Sequence, residues 1–238
     1  MTEVPERFVS RGTPAASIPP RARIVDEAYN AIKQMIITNE LKSGQVISVA
    51  ALADYLGVSR SPVSKAFTAL EQDGFVESEP FKAPRVAVLT SKFVRNVYGV
   101  RTALEARAAA DATANLTDTD LSQLSVAFEA LSKAGGPADK SAVFEFDAKL
   151  HRLFAERADN ELLSTFLGNL ELHLVRIRNV YGEHITSQAE IERQYEELQR
   201  IVRAVTERDA AGVEAAMNEH VSRHAQRLIA KIDEDGRR

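Results

Sequence analysis

The feature that most constrains this chain is a change of pattern at Leu89-Thr90. Beyond it, apolar residues recur at helical spacing almost without interruption, broken only by capping or turn signals at Thr117-Asp118-Thr119-Asp120, Ala134-Gly135-Gly136-Pro137, Gly182 and Arg208-Asp209. The spacing predicts helices over about 91–115, 117–133, 139–157, 161–181, 187–207 and 210–232. About six helices in 91–238 can bury their stripes only as an antiparallel bundle. Before the break the order differs. Val25, Ala28, Tyr29, Ile32, Met35 and Ile36 mark a first helix, and Ala50 to Leu56 a second, with Ser48 as N-cap and Gly57 in the C′ role. A third helix opens at Ser61-Pro62 and closes at Asp73-Gly74. Two β-prone runs follow, Phe75-Val76-Glu77-Ser78 and Arg85-Val86-Ala87-Val88. Four of the eight prolines lie within 1–20, which reads as a flexible arm.

Three helices followed by a hairpin is the order of a winged helix-turn-helix, expected here over 21–90. The fold class is therefore mainly α: an N-terminal winged helix-turn-helix and a C-terminal all-α bundle. The exposed start of the third helix, with Ser59, Arg60, Ser61, Ser64 and Lys65, suits phosphates and base edges in a major groove. Charge limits how such binding could work. The whole chain carries 34 acidic and 30 basic residues, and the eight basic residues of 21–90 are matched by eight acidic ones. Binding must come from placement, and two half-sites read by a homodimer are expected. Cysteine is absent, which removes disulfides, thiolate metal sites and a cysteine nucleophile. No apolar run approaches the ~20 residues of a membrane span, and the first residues lack the apolar core of a signal peptide. A cytoplasmic protein is expected.

The strings Leu41-Lys42-Ser43-Gly44-Gln45, Leu56-Gly57-Val58-Ser59-Arg60-Ser61-Pro62-Val63 and Leu70-Glu71-Gln72-Asp73-Gly74-Phe75-Val76 resemble the GntR family of bacterial transcription regulators. The resemblance implies that Arg60 contacts base edges or phosphates, that Ser59 and Ser61 hold phosphates, and that Lys65 and the wing, through Lys82 and Arg85, add backbone contacts. Two departures stand out. Ser64-Lys65 replaces the family's Arg-Glu, and Ala83-Pro84 stands where the wing usually carries a glycine. Glu77 and Glu79 are poorly suited to lie near phosphates.

The second half is similar to the FCD ligand-binding domain of the FadR branch, in its shorter VanR-like form. The similarity rests on Val97-Tyr98-Gly99-Val100-Arg101-Thr102-Ala103-Leu104-Glu105, Phe146-Asp147-Ala148-Lys149-Leu150-His151 and Ala215-Ala216-Met217-Asn218-Glu219-His220. Spacing alone puts Asp147 and His151 on one helix face, at the margin of the stripe Val143, Phe146, Leu150, Phe154. His220 falls inside the stripe Val213, Ala216, Met217, Val221, Leu228. The family's metal-binding members use an Asp and three His. The resemblance maps Asp147, His151 and His220 onto three of them, for one divalent ion such as Zn, Ni or Mn. The remaining histidine maps to Leu198, in Glu197-Leu198-Gln199-Arg200-Ile201-Val202. His224, one turn after His220, and His173, placed on an inward face with Phe166, Leu170 and Ile177, are the substitutes within reach. A hydrogen-bonded polar cluster without metal is the alternative. Arg101 and Glu105 match the family's Arg…Glu pair, which implies that Arg101 holds an effector carboxylate; an internal salt bridge to Glu105 is the competing role. Arg152, Arg176 and Arg178 are further effector-binding candidates.

These readings point to a ligand-responsive DNA-binding regulator, expected to be a repressor that senses a small carboxylate and reads an inverted repeat in double-stranded DNA. Two other classes use the same residues. A metal-dependent hydrolase could be built on Asp147, His151 and His220, but no general base or nucleophile motif accompanies them. An architectural DNA binder would need no cavity lined by His, Asp and Arg. The reading adopted is not an enzyme.

Overall fold

A computed structural model describes residues 20–79, 82–181 and 187–235. The arm expected at the N-terminus and the Gly182 junction lie outside them, except that Pro20 already opens a helix. The chain divides into two compact units, Met1–Val88 and Leu89–Arg238. None of the helices described is long and apolar enough to cross a membrane.

The first unit holds α1 (Pro20–Ile37), α2 (Val49–Leu56), α3 (Arg60–Gln72), β1 (Val76–Glu77) and β2 (Arg85–Val86). Helix α1 starts earlier than its apolar stripe because proline, which has no N–H to satisfy, suits a first helical position. The α2–α3 turn follows from local chemistry. Ala51 N–H donates to Ser48 Oγ at 3.2 Å. Gly57 takes φ +66°, and Val58 N–H returns to Ala53 O at 3.0 Å, which satisfies the open end of α2. Ile32, Ile36, Leu52, Ala53, Val63, Ala66, Phe67 and Leu70 are buried among the three helices. The strands are two residues each, antiparallel, with Val76 opposite Val86 and Glu77 opposite Arg85. Arg85 also bridges Val46, a third edge that periodicity did not suggest because the bridge is a single residue.

The second unit holds α4 (Ser91–Asn115), α5 (Asp118–Lys133), a 3-10 turn (Gly136–Ala138), α6 (Lys140–Arg157), α7 (Glu161–Tyr181), α8 (Gln188–Thr206) and α9 (Ala210–Asp235). Thr117 and Asp120 form a full capping box at α5, and Asp139 caps α6 by accepting from Ala142 N–H. Helix α4 packs chiefly against α9 and α6. Its interior face carries Ala106, Ala109 and Ala112, all buried, and small side chains let neighbouring axes approach closely. The core joins Val97, Phe146, Leu150, Phe154, Leu198, Ile201, Val213, Met217 and Val221. Polar residues on the inner edges of α4, α6, α8 and α9 are therefore brought together.

Gly57 tests the turn. A Cβ there meets no atom within 4 Å, so only the left-handed backbone resists a side chain. Gly57→Ala is expected to cost about 1 kcal/mol, roughly a fivefold rise in local opening of α2 and α3 by hydrogen exchange in the full chain. Gly57→Asn should recover part of the loss, since Asn tolerates this region; equal exchange in all three proteins would contradict the assignment.

Candidate functional site

In the first unit, Ser59, Arg60, Ser61, Ser64 and Lys65 are all exposed around the start of α3. Ser59 stands at the N-cap with extended backbone and makes no side-chain capping bond. The first N–H groups of α3, with two hydroxyls beside them, thus form an anion-accepting end. Ser64 is used locally, its hydroxyl donating to Arg60 O at 3.0 Å. The wing differs from α3. Arg85 Nη2 lies 2.8 Å from Glu77 and 3.7 Å from Glu79, and Lys82 Nζ lies 2.6 Å from Glu79. The two wing cations are largely neutralised by their own neighbours, whereas no ion pair among the described residues engages Arg60 or Lys65.

In the second unit, a cavity of about 990 Å³ is lined by residues of α4, α6, α7, α8 and α9. Asp147, His151 and His220 meet at its wall, and one ligand atom from each lies within 4.8 Å of the others. Asp147 Oδ1 is 3.0 Å from His220 Nε2 and 3.5 Å from His151 Nε2. That oxygen is buried, yet neither imidazole is aligned as a hydrogen-bond donor to it. The far nitrogens of both rings face carboxylates. His220 Nδ1 donates to Glu197 Oε2 at 2.9 Å, and His151 Nδ1 lies 3.0 Å from Glu105 Oε2. An ionised carboxylate only accepts, so Glu197 fixes Nδ1 of His220 as the protonated nitrogen.

This arrangement fits a divalent cation. Metal-binding histidines usually donate their other ring N–H to a carboxylate, leaving a lone pair for the ion. Bonds of about 2.0–2.1 Å at tetrahedral angles put neighbouring ligand atoms roughly 3.3 Å apart, close to the two distances at Asp147. Without a metal, protons must fill the role. Burial opposes charge on His151, but Glu105 and Asp147 outweigh it and push the imidazole up to about 9. Burial also opposes charge on Glu105, but His151 and Arg101 hold it at about 2. Asp147 stays well below its ordinary range in spite of burial, because both imidazoles face it. A metal would compete with these protons.

The remaining candidates separate. Arg101 and Glu105 line the cavity and are paired with each other at 2.9 Å, so the pair has both the internal and the cavity-facing character. Arg152 and Arg178 line the cavity with exposed side chains. Arg176 is buried and outside the lining. His224 lines the cavity but stacks on Tyr98, 5.6 Å between centroids, and is not in the ligand cluster. His173 packs edge-on against Phe93 and does not reach the cavity wall. The inward face expected for α7 needs correction: Phe166 is 57% exposed, because the buried face runs through Leu163, Leu174 and Ile177. Leu198 is buried in the apolar core and absent from the lining. Sequence reasoning missed Glu197 as a partner of His220, although it adjoins Leu198. It also missed Gln194, one turn before Leu198, which is buried and lines the cavity.

Comparison with known proteins agrees with both halves. Residues 24–86 match the family described as bacterial regulatory proteins, gntR family, and residues 96–223 match the FCD domain. The chain is 30% identical to the HTH-type transcriptional regulator LutR of Bacillus subtilis, over 84% of this chain and 99% of that protein. It is 26% identical to the HTH-type transcriptional repressor RspR of Escherichia coli K12, over 85% and 87% of the two chains. The solved structure of E. coli McbR/YncC aligns with a TM-score of 0.62 at 22% identity, covering 87% of this chain and 98% of that one, which shows a shared fold.

His224 gives the site a pH signature. Burial, and then the nearby Arg101 and Arg227, push it down from 6.5 to about 3. A folded-state value below the unfolded one means that its stabilising contribution is present above pH 6.5 and is lost as pH falls toward 3. His224→Phe, which keeps a ring on Tyr98, is expected to flatten the fall in melting temperature between about pH 6.5 and pH 5, a window above the range where carboxylates titrate. Parallel curves for the two proteins would rule this out.

Proposed function

Because the chain belongs to the FCD-domain regulators of the bacterial gntR family, and is thus a DNA-binding transcription regulator rather than an enzyme, we propose that it is a repressor. Its DNA affinity is set by a small carboxylate bound beside a divalent metal. One observation carries the sensing half: Asp147, His151 and His220 share a cavity wall with the guanidinium of Arg101. A metal there would offer a Lewis acid to an effector oxygen, and a planar guanidinium suits a carboxylate. The residues that would hold the metal are Asp147, His151 and His220. Arg101 orients the anion, with Arg152 and Arg178 nearer the solvent. Effector binding shifts the population between dimer forms that fit and do not fit the operator.

A homodimer reading an inverted repeat in the cytoplasm completes this reading, since two-fold protein symmetry requires two-fold operator symmetry. The N-terminal end of α3 enters the major groove. The wing contributes less, because Glu77 and Glu79 occupy its two cations.

Operator binding measured at one fixed salt concentration tests the DNA half. Arg60→Ala is expected to cost about 1–3 kcal/mol against the specific site if it reads a base. Arg85→Ala should cost clearly less. Equal losses, or none from Arg60→Ala, would contradict the assignment. The sensing half is tested by melting the full chain with small carboxylates and zinc: stabilisation by a carboxylate should disappear in both Arg101→Ala and Asp147→Ala. A carboxylate that stabilises both variants as well as the wild type would show that it binds elsewhere.

A further inference from the structure

Helix α8 supplies no ligand at the position where the resemblance calls for a histidine, since Leu198 is sunk in the core. The residue beside it is as deeply buried but ionic. Glu197 is 1% exposed, and burying a carboxylate is costly unless it is fully paired. Its partners are three. Oε2 accepts from His220 Nδ1 at 2.9 Å. Oε1 accepts from Arg223 Nη1 at 3.3 Å and lies 3.9 Å from Arg227 Nη1. Arg223 is held in turn by Glu219, and Glu219 by Arg200 at 2.8 Å, so the carboxylate is braced from the surface inward.

Glu197 does not line the cavity, so it does not meet an effector. It also sits behind His220, on the ring nitrogen opposite the one that faces Asp147. It is therefore placed neither as a ligand nor as a binding residue. Of the two carboxylates behind the histidines, Glu197 alone makes an aligned hydrogen bond; Glu105 Oε2 faces His151 without one. The second torsion of a histidine is soft, and a half-turn of the ring swaps each nitrogen with a ring carbon, which would take Nδ1 off Glu197 and Nε2 off Asp147. Something must hold the ring with Nε2 toward Asp147.

We propose that Glu197 is the positioning residue of the cradle, braced by Arg223 and Arg227, and that it locks the His220 ring with Nε2 facing Asp147, so that α8 supports a ligand instead of providing one. The proposal rests on the metal reading given above. With one imidazole fewer than the family's set, the geometry of each remaining donor weighs more heavily on affinity.

The test is zinc affinity of the full-length protein, measured by competition with a chromophoric chelator, together with the absorption spectrum of the cobalt(II) form. Glu197→Ala should weaken zinc by about 10–100-fold and change the cobalt spectrum. Glu197→Gln, which keeps an acceptor and the shape but not the charge, should fall between wild type and Glu197→Ala. Glu196→Ala, an exposed neighbour on the same helix, should match wild type. A purely structural ion pair would lower the metal-free melting temperature and leave both the affinity and the spectrum of the loaded protein unchanged; that result overturns the proposal. If Glu197→Ala does not fold, Glu197→Gln carries the test, and wild-type affinity and spectrum in that variant overturn it. Wild-type protein that binds zinc no better than Asp147→Ala removes the metal reading itself and this proposal with it, a failure distinct from the others.

Discussion

Much of the second unit turns on one buried oxygen. Asp147 Oδ1 faces two imidazole nitrogens at 3.0 and 3.5 Å with no aligned donor. A buried carboxylate oxygen without a hydrogen bond is costly unless positive charge reaches it. In the metal-free chain that charge is protons on His151 and His220, both of whose affinities are raised over the opposing effect of burial. Glu105 and Glu197 sit behind the imidazoles, and Arg101, Arg223 and Arg227 behind the carboxylates. The cluster alternates in sign from its centre outward. Every link crosses between helices or spans one helical turn, so the cluster exists only while α4, α6, α8 and α9 are packed.

That dependence ties the site to the fold. Alanines on α4 let α6 and α9 lie close enough for Glu105 to reach His151. Leu150 and Phe154 on α6, with Met217 and Val221 on α9, fill the apolar layer that sets the rotation of each helix. The cavity wall is largely buried where the cluster lies and exposed toward Arg152 and Arg178, the exposed arginines of the lining. In the first unit the same economy of charge operates at the surface: Glu77 and Glu79 pair with the wing cations, while no ion pair among the described residues engages Arg60 or Lys65 of α3.

Much of this was legible in the sequence because it is local. The four-residue spacing of Asp147 and His151, the place of His220 in an apolar stripe, and the caps at Ser48 and Thr117 all depend on near neighbours. Helices α4 and α7 begin and end where the pattern places them. What was not legible depends on partners far along the chain. Glu197 looks like an ordinary surface glutamate of an amphipathic helix until α9 brings His220 and Arg223 against it. Phe166 reads as inward-facing because α7 has apolar residues on more than one side, and only packing decides which side is buried. The pairing of Arg85 with Glu77 depends on the hairpin register, which two-residue strands barely announce.

The proposal that Asp147, His151 and His220 hold a divalent cation is tested most directly by metal content. Elemental analysis of the purified full chain, paired with thermal melting before and after chelation, should show about one divalent ion per chain, a lower melting temperature once it is removed, and recovery when zinc is returned, as mass action demands. Asp147→Ala should hold no metal and melt the same with or without chelator. A wild-type protein that carries no metal, and whose melting temperature is unmoved by added zinc, would contradict the account.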